Sequence, residues 1–137
     1  ATDAQRGHAA TPVHDGDSGA WRHEADQQEA GTAVSGSGPA YCFLLMESMI
    51  ESAQALGLDA QASRQLVVET ARGAALMACE PDTDPATLRR NVTSPGGTTE
   101  AALNVMQAEN LGHIVDRALL AAKQRAATLA TEFGSKT

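Results

Sequence analysis

From Pro39 onward the apolar residues recur at the spacing of amphipathic helices, and no segment keeps up a period-two alternation. The first helix is predicted from Pro39 to about Leu56. Tyr41, Phe43, Leu44, Ile50, Ala53 and Leu56 carry its apolar face, and Leu45, Met46 and Met49 widen it beyond one stripe. A helix apolar on more than one side is one that several neighbours bury. Gly57 is placed to close it in a left-handed cap. Asp59 can open a second helix running to about Cys79, with Leu66, Thr70, Gly73, Ala74 and Met77 as its inner stripe. Gly73 inside that helix costs about 1 kcal/mol against alanine, so a close helix crossing is expected there. Asp84 followed by Pro85 predicts a short third helix to about Val92. A fourth follows Gly96 and Gly97, carries Ala101, Ala102, Val105 and Met106, and ends near Asn110. The last runs from about Leu111 to Phe133, with a wide face of Ile114, Val115, Ala118, Leu119, Ala122, Ala126, Leu129 and Phe133. Gly134 closes it, and Ser135-Lys136-Thr137 is expected to fray.

Residues 1–31 break this pattern. Gly, His, Asp and Gln are frequent, Val13 and Trp21 stand alone as large apolar residues, and no period survives a count. The stretch is expected to be solvated, poorly ordered chain, which divides the protein into an irregular segment at 1–31 and a helical domain at 32–137. His8, His14 and His23 lie near Asp15, Asp17 and Glu24, but their spacings match no zinc pattern, and no metal site is assigned.

The 137 residues suffice for one domain of ordinary size. Of these, 42% are hydrophobic and only 3% aromatic, so the core must be built from Ala, Leu, Val, Ile and Met. Small side chains bury little area each, and stability then needs extensive contact, which hints at a partner chain sharing the core. The formal net charge of −7 disfavours polyanions and argues against nucleic acid. No apolar run reaches transmembrane length and nothing resembles a signal peptide, so no membrane is implied. Cys42 and Cys79 have no metal-ligand spacing. They read as buried thiols of a cytoplasmic protein.

Candidate chemistry concentrates in NVTSPGGTTEAALNVMQAEN at 91–110. Glycines let a chain turn sharply and approach a ligand. A helix start carries unpaired N–H groups and partial positive charge. A Gly-Gly turn entering a helix is thus a cradle for a carboxylate or phosphate, and Thr98 and Thr99 add hydroxyls that can cap the helix or bind a ligand. Read locally, the same residues also make an ordinary capped turn. The other glycine-rich stretch, Ser35-Gly36-Ser37-Gly38-Pro39-Ala40-Tyr41, is not a dinucleotide fingerprint: its third glycine would fall at Tyr41 and no strand precedes it. It reads as helix entry. His113 reads as an exposed residue at the start of the last helix.

SGSGPAY at 35–41 and TSPGGTT at 93–99 occur together at a distinctive separation. With GLDAQASRQLVVETARGAALM at 57–77 and LGHIVDRALLAAKQRAATLA near the end, the chain from about Thr32 to Phe133 resembles the C-terminal domain of pyrroline-5-carboxylate reductases. That resemblance implies an all-α, five-helix domain of the 6-phosphogluconate-dehydrogenase-like type, interlocked as a homodimer or built into a higher homo-oligomer. It implies reduction of a cyclic imino acid to proline with NADPH or NADH. In the family the glycine-threonine turn holds the substrate carboxylate. By position, Gly96, Gly97 and Thr98 would present amides, Thr99 would hydrogen-bond the ring nitrogen as the catalytic orienter, and Ser94 would line the pocket.

The family's cofactor-binding domain has no counterpart here. Residues 4–21 loosely follow the last helix and strand of that domain and 21–34 the connection into the helical one, with Pro12, Asp15, Asp17 and Gln28 where apolar residues would be expected and Gly31 in place of a branched one. The stretch reads as its remnant, and the isolated chain is expected to be inactive. Two other readings compete with this one. The chain could be a non-enzymatic dimerisation module that associates with a full-length reductase subunit, or an unrelated helical binder of small carboxylates.

Overall fold

The computed structural model describes residues 18–134. Residues 1–17, with His8, His14, Asp15 and Asp17 and the irregular chain expected there, and the end at 135–137 expected to fray lie outside the described residues. Within them the elements are α1 (Ser18–Gly31), a π-helical turn (Thr32–Gly36), α2 (Gly38–Ala55), α3 (Ala60–Ala78), α4 (Pro85–Asn91), α5 (Thr98–Ala108) and α6 (Leu111–Gly134). No strand occurs among the described residues. The five helices predicted from Pro39 onward are α2 to α6, each within a few residues of its expected bounds.

Helix α1 corrects one expectation. Residues 18–31 form regular helix where the pattern predicted irregular chain. Alanine, glutamate and glutamine are strong helix formers, and Arg22 to Gln28 are all exposed. A helix polar on every side has no stripe for a periodicity count to detect. The chain passes from α1 into the π-helical turn, where Ala33 is buried and the hydroxyls of Thr32 and Ser35 donate to the carbonyls of Gln28 and Gly31. Residues 18–36 group with 119–134 as one compact unit. Within it Lys123 Nζ lies 3.3 Å from Asp26 Oδ1.

Residues Ser37–Ala118 form the second unit. Local chemistry sets its element ends. Leu58 N–H donates to Ala53 O and Gly57 N–H to Gln54 O, with Gly57 at φ 107°, which is the left-handed close expected of that glycine. Asp59 caps α3 by accepting from Ala62 N–H at 2.8 Å. Asp84 caps α4 by accepting from Thr87 N–H at 2.9 Å and from the Thr87 hydroxyl at 2.7 Å. Asn110, at φ 58°, separates α5 from α6, a conformation asparagine tolerates better than most residues.

Helix packing in this unit is limited to α2 against α3 and α3 against α4 among the described residues. At the first contact Ser63 and Val67 are buried. Ser63 is small enough to let the helices close, and its hydroxyl is satisfied by Asp59 O at 2.7 Å. Little else is covered. Phe43, Leu44, Leu45, Met49, Leu66 and Leu76 are all exposed. Burying six such side chains is worth on the order of 10 kcal/mol, comparable to the whole net stability of a domain. One chain does not realise that term. The same shortage corrects the reading of the thiols: Cys42 and Cys79 are free and exposed among the described residues. Gly73 likewise has nothing within 4 Å of where a Cβ would stand, so the crossing expected there is not made by the described residues.

Two measurements check these local assignments. Asp59→Ala should destabilise the fold by about 1 kcal/mol, read as a lowered midpoint in chemical denaturation. For Asp84, the Thr87 backbone N–H first, then the Thr87 hydroxyl, hold the carboxyl below its ordinary value. A lowered folded-state value means its contribution is complete above the unfolded carboxylate range and fades as the pH falls through the folded one. The stability difference between the wild type and Asp84→Asn should therefore shrink on acidification below about pH 4. Acid titration of the denaturation midpoint reads it.

Candidate functional site

The sequence that builds the turn before α5 leaves it little choice. Gly97 N–H donates to Ser94 O at 3.1 Å, closing a four-residue turn from Ser94 to Gly97. Pro95 supplies the fixed φ favoured at its second position, and Gly96 at φ 73° supplies the positive φ that a type II turn needs at its third. Gly97 is required for a different reason. A Cβ there would lie 3.2 Å from Ser94 O and 3.5 Å from Ser94 Cβ. Gly97 is then the extended N-cap of α5, and its carbonyl accepts the first helical bond from Ala101 N–H.

The turn's donors are not distributed as expected. Gly97 N–H is used within the turn. Gly96 N–H donates to Glu100 Oε1 at 3.3 Å, back from the first turn of the helix. The N–H groups of Thr98, Thr99 and Glu100 face no acceptor among the described residues, as the first turn of a helix dictates. The side chains of Thr98 and Thr99 are exposed, and Glu100 is half-buried. What the turn offers a ligand is therefore the N–H groups from Thr98 onward, the two threonine hydroxyls and the positive end of the α5 dipole. Gly96 and Gly97 shape this cradle. Ser94 lies at the other end of the same turn, exposed, with its carbonyl engaged by Gly97. Glu100 was not foreseen as part of the site, although an acidic residue at the third helical position is a recognisable capping signal.

Two grooves lie elsewhere in the same unit. One, of about 600 Å³, runs along α3 and α4 and is floored by Gly73, Ala74, Met77, Leu88 and Val92. It is apolar, as a seat for another helix would be. The second, also about 600 Å³, lies among Arg89, Leu103, Met106, Leu111 and His113. His113 is exposed at its edge, as expected. Among the described residues no group of His, Cys, Asp and Glu is placed to hold a metal ion, and no helix is long and apolar enough to cross a membrane. His23 instead pairs its ring with the Gln27 side chain at 3.2 Å.

Comparison with known proteins bears on the same residues. The family described as pyrroline-5-carboxylate reductase dimerisation matches residues 25–129. The pyrroline-5-carboxylate reductase of Pseudomonas aeruginosa is 50% identical over 114 residues, which are 83% of this chain and 42% of that protein. A solved pyrroline-5-carboxylate reductase from Coxiella burnetii superposes with a TM-score of 0.74 at 48% identity, over 76% of this chain and 38% of the other. The Plasmodium falciparum enzyme, solved with NADP bound, superposes with a TM-score of 0.71 at 33% identity, over 74% and 38% of the two chains. The chain thus spans about two fifths of the length of these relatives. With the family match running from within α1 almost to the end of α6, through the turn at 94–97, the chain belongs to the pyrroline-5-carboxylate reductase family by way of its dimerisation domain.

Proposed function

We propose that this chain is the helical, dimer-forming and substrate-holding part of an enzyme that reduces 1-pyrroline-5-carboxylate to proline. The observation that carries the reading is the glycine-threonine turn at the start of α5, lying inside the family match at 25–129. Residues 32–137 would be the dimerisation and substrate domain. Ser94, Gly96, Gly97, Thr98 and Thr99 would form its substrate turn. The substrate's carboxylate is a small anion, suited to the free N–H groups and dipole at the helix start. Its ring nitrogen is a polar atom a few bonds away, suited to the Thr99 hydroxyl. Thr99 then orients the ring. Its work is positioning and hydrogen bonding, and a hydroxyl is too weak an acid to serve alone as proton donor.

A nicotinamide cofactor, NADPH or NADH, would supply the hydride that the imine carbon receives. The described residues do not fit its pyrophosphate: no strand leads into a glycine-rich turn and helix. No step of hydride delivery is assigned to them. Purified chain should therefore show no imine-dependent oxidation of NADPH.

The partner is a second copy of the chain, with helices interlocked. Homo-oligomerisation belongs to the family, and the uncovered faces of α2 and α3 with the Gly73 groove support the interlocked form. Nucleic acid and membrane have no place in this reading, and the free thiols suit a reducing cytoplasm.

Two experiments test it. In light scattering the chain should have twice its single-chain mass. Gly73→Leu, at a position where a Cβ meets nothing within 4 Å among the described residues, fills the groove and should raise the dimer dissociation constant at least about tenfold, while Gly73→Ala has a smaller effect. A wild-type monomer would overturn the interlocked dimer. In calorimetry, L-proline should bind, and Thr99→Val should weaken it about tenfold while leaving cyclopentanecarboxylate, which lacks the ring nitrogen, unaffected. Equal losses for both ligands would remove Thr99 from the nitrogen.

A further inference from the structure

The Glu100 carboxylate is the one acidic group in the first turn of α5, and it reaches backward to Gly96 N–H at 3.3 Å. In the usual capping box the third helical residue bonds the N–H of the cap residue itself. Here the cap residue is Gly97, whose N–H is already committed to Ser94 O. The glutamate therefore bonds one residue earlier, on the glycine held at φ 73°. Nothing lies within 4 Å of where a Cβ on that glycine would be, so what holds it is the turn bond from Gly97 N–H to Ser94 O and its own bond to Glu100. Glu100 makes no ion pair among the described residues. It is half-buried, whereas Thr98 and Thr99 before it are exposed. Its negative charge at the helix start is favourable to the dipole.

We propose that Glu100 is a positioning residue for substrate binding: by holding Gly96 N–H it fixes the turn, so that the N–H groups of Thr98 and Thr99 and the Thr99 hydroxyl keep one orientation toward the imino acid. This rests on the functional reading above. The contribution is preorganisation. Pro95, Gly96 and Gly97 set the shape of the turn, and the Glu100 bond ties that turn to the start of α5; motion of the one against the other would have to be ordered each time a ligand binds, and that ordering would be subtracted from affinity. A gap of a few tenths of an ångström in the placement of such donors already costs affinity. The opposite possibility is that the carboxylate merely occupies the place a substrate carboxylate would take. It predicts the opposite sign on removal.

The test compares the wild type with Glu100→Ala and Glu100→Gln, each confirmed helical and of unchanged oligomeric mass. Calorimetry with L-proline reads affinity, and amide exchange by nuclear magnetic resonance reads Gly96. Glu100→Ala should weaken L-proline about tenfold and speed Gly96 exchange by at least a similar factor. Glu100→Gln, whose side-chain oxygen still accepts the bond, should stay within about threefold on both readings. Affinity that is unchanged or tighter in Glu100→Ala overturns the proposal. So does Gly96 exchange that does not respond. If the wild type takes up no L-proline, the functional reading fails and the positioning role fails with it, while faster Gly96 exchange in Glu100→Ala would still show that the carboxylate holds the turn.

Discussion

The constraint on which the rest depends is an apolar surface larger than the described residues cover. Helix α2 carries Phe43, Leu44, Leu45 and Met49 to different sides, but only α3 lies against it among the described residues. Helix α3 in turn meets α2 and α4 among the described residues. In a domain built from one chain, a helix with this much apolar surface would be enclosed by several others. With almost no aromatic residues to fill space, alanine, leucine and methionine must do so through close approach over a long contact. A groove floored by glycine and alanine, as at Gly73 and Ala74, is what such an approach needs. The belonging to a dimerisation family and the shape of these surfaces are two expressions of the same shortage.

The turn before α5 obeys a different, local rule. Its conformation follows from three residues, and each does one thing. Pro95 fixes a dihedral, Gly96 accepts a positive φ, and Gly97 makes room for Ser94 O. None of this needs a partner, so the turn can form wherever the segment Ser94–Glu100 does. The helix behind it then supplies donors that the backbone cannot use for itself. A binding surface made of main-chain groups changes with side-chain substitution only through geometry, and for that reason the residues that govern geometry, the glycines and Glu100, matter as much as the threonines that would touch a ligand.

How much of this was legible in the sequence follows the range of the interactions involved. The ends of α2, α3 and α4 were readable from Gly57, Asp59, Asp84 and Pro85, because caps are settled within four residues. The all-helical class was readable from spacing. Helix α1 was not, because a polar helix has no apolar stripe and its formers signal only weakly. The exposure of Cys42 and Cys79 was not, because an apolar helical setting implies burial without saying by which chain. At the site, the location of the turn and the need for both glycines were plain. The assignment of donors shifted by a residue or two: Gly96 and Gly97 spend their N–H groups inside the turn, and the free ones begin at Thr98. That detail depends on which carbonyl and which carboxylate a chain folds back onto, and residue types alone do not specify it.

These two scales meet in α5. The helix that would present the donors makes no close backbone approach to another helix among the described residues, and it carries Val105 and Met106 on exposed apolar positions. An eleven-residue helix of this kind is marginal by itself in water. On the proposed reading, the contact that buries Val105 and Met106 also holds the start of the helix steady beneath its ligand. Ligand binding and assembly then stabilise the same state. By mass action each raises the apparent strength of the other. On that reading, a chain with a substrate turn at the head of an uncovered helix would couple the aim of its donors to the presence of a second copy, with no contact needed between the ligand and the dimer seam.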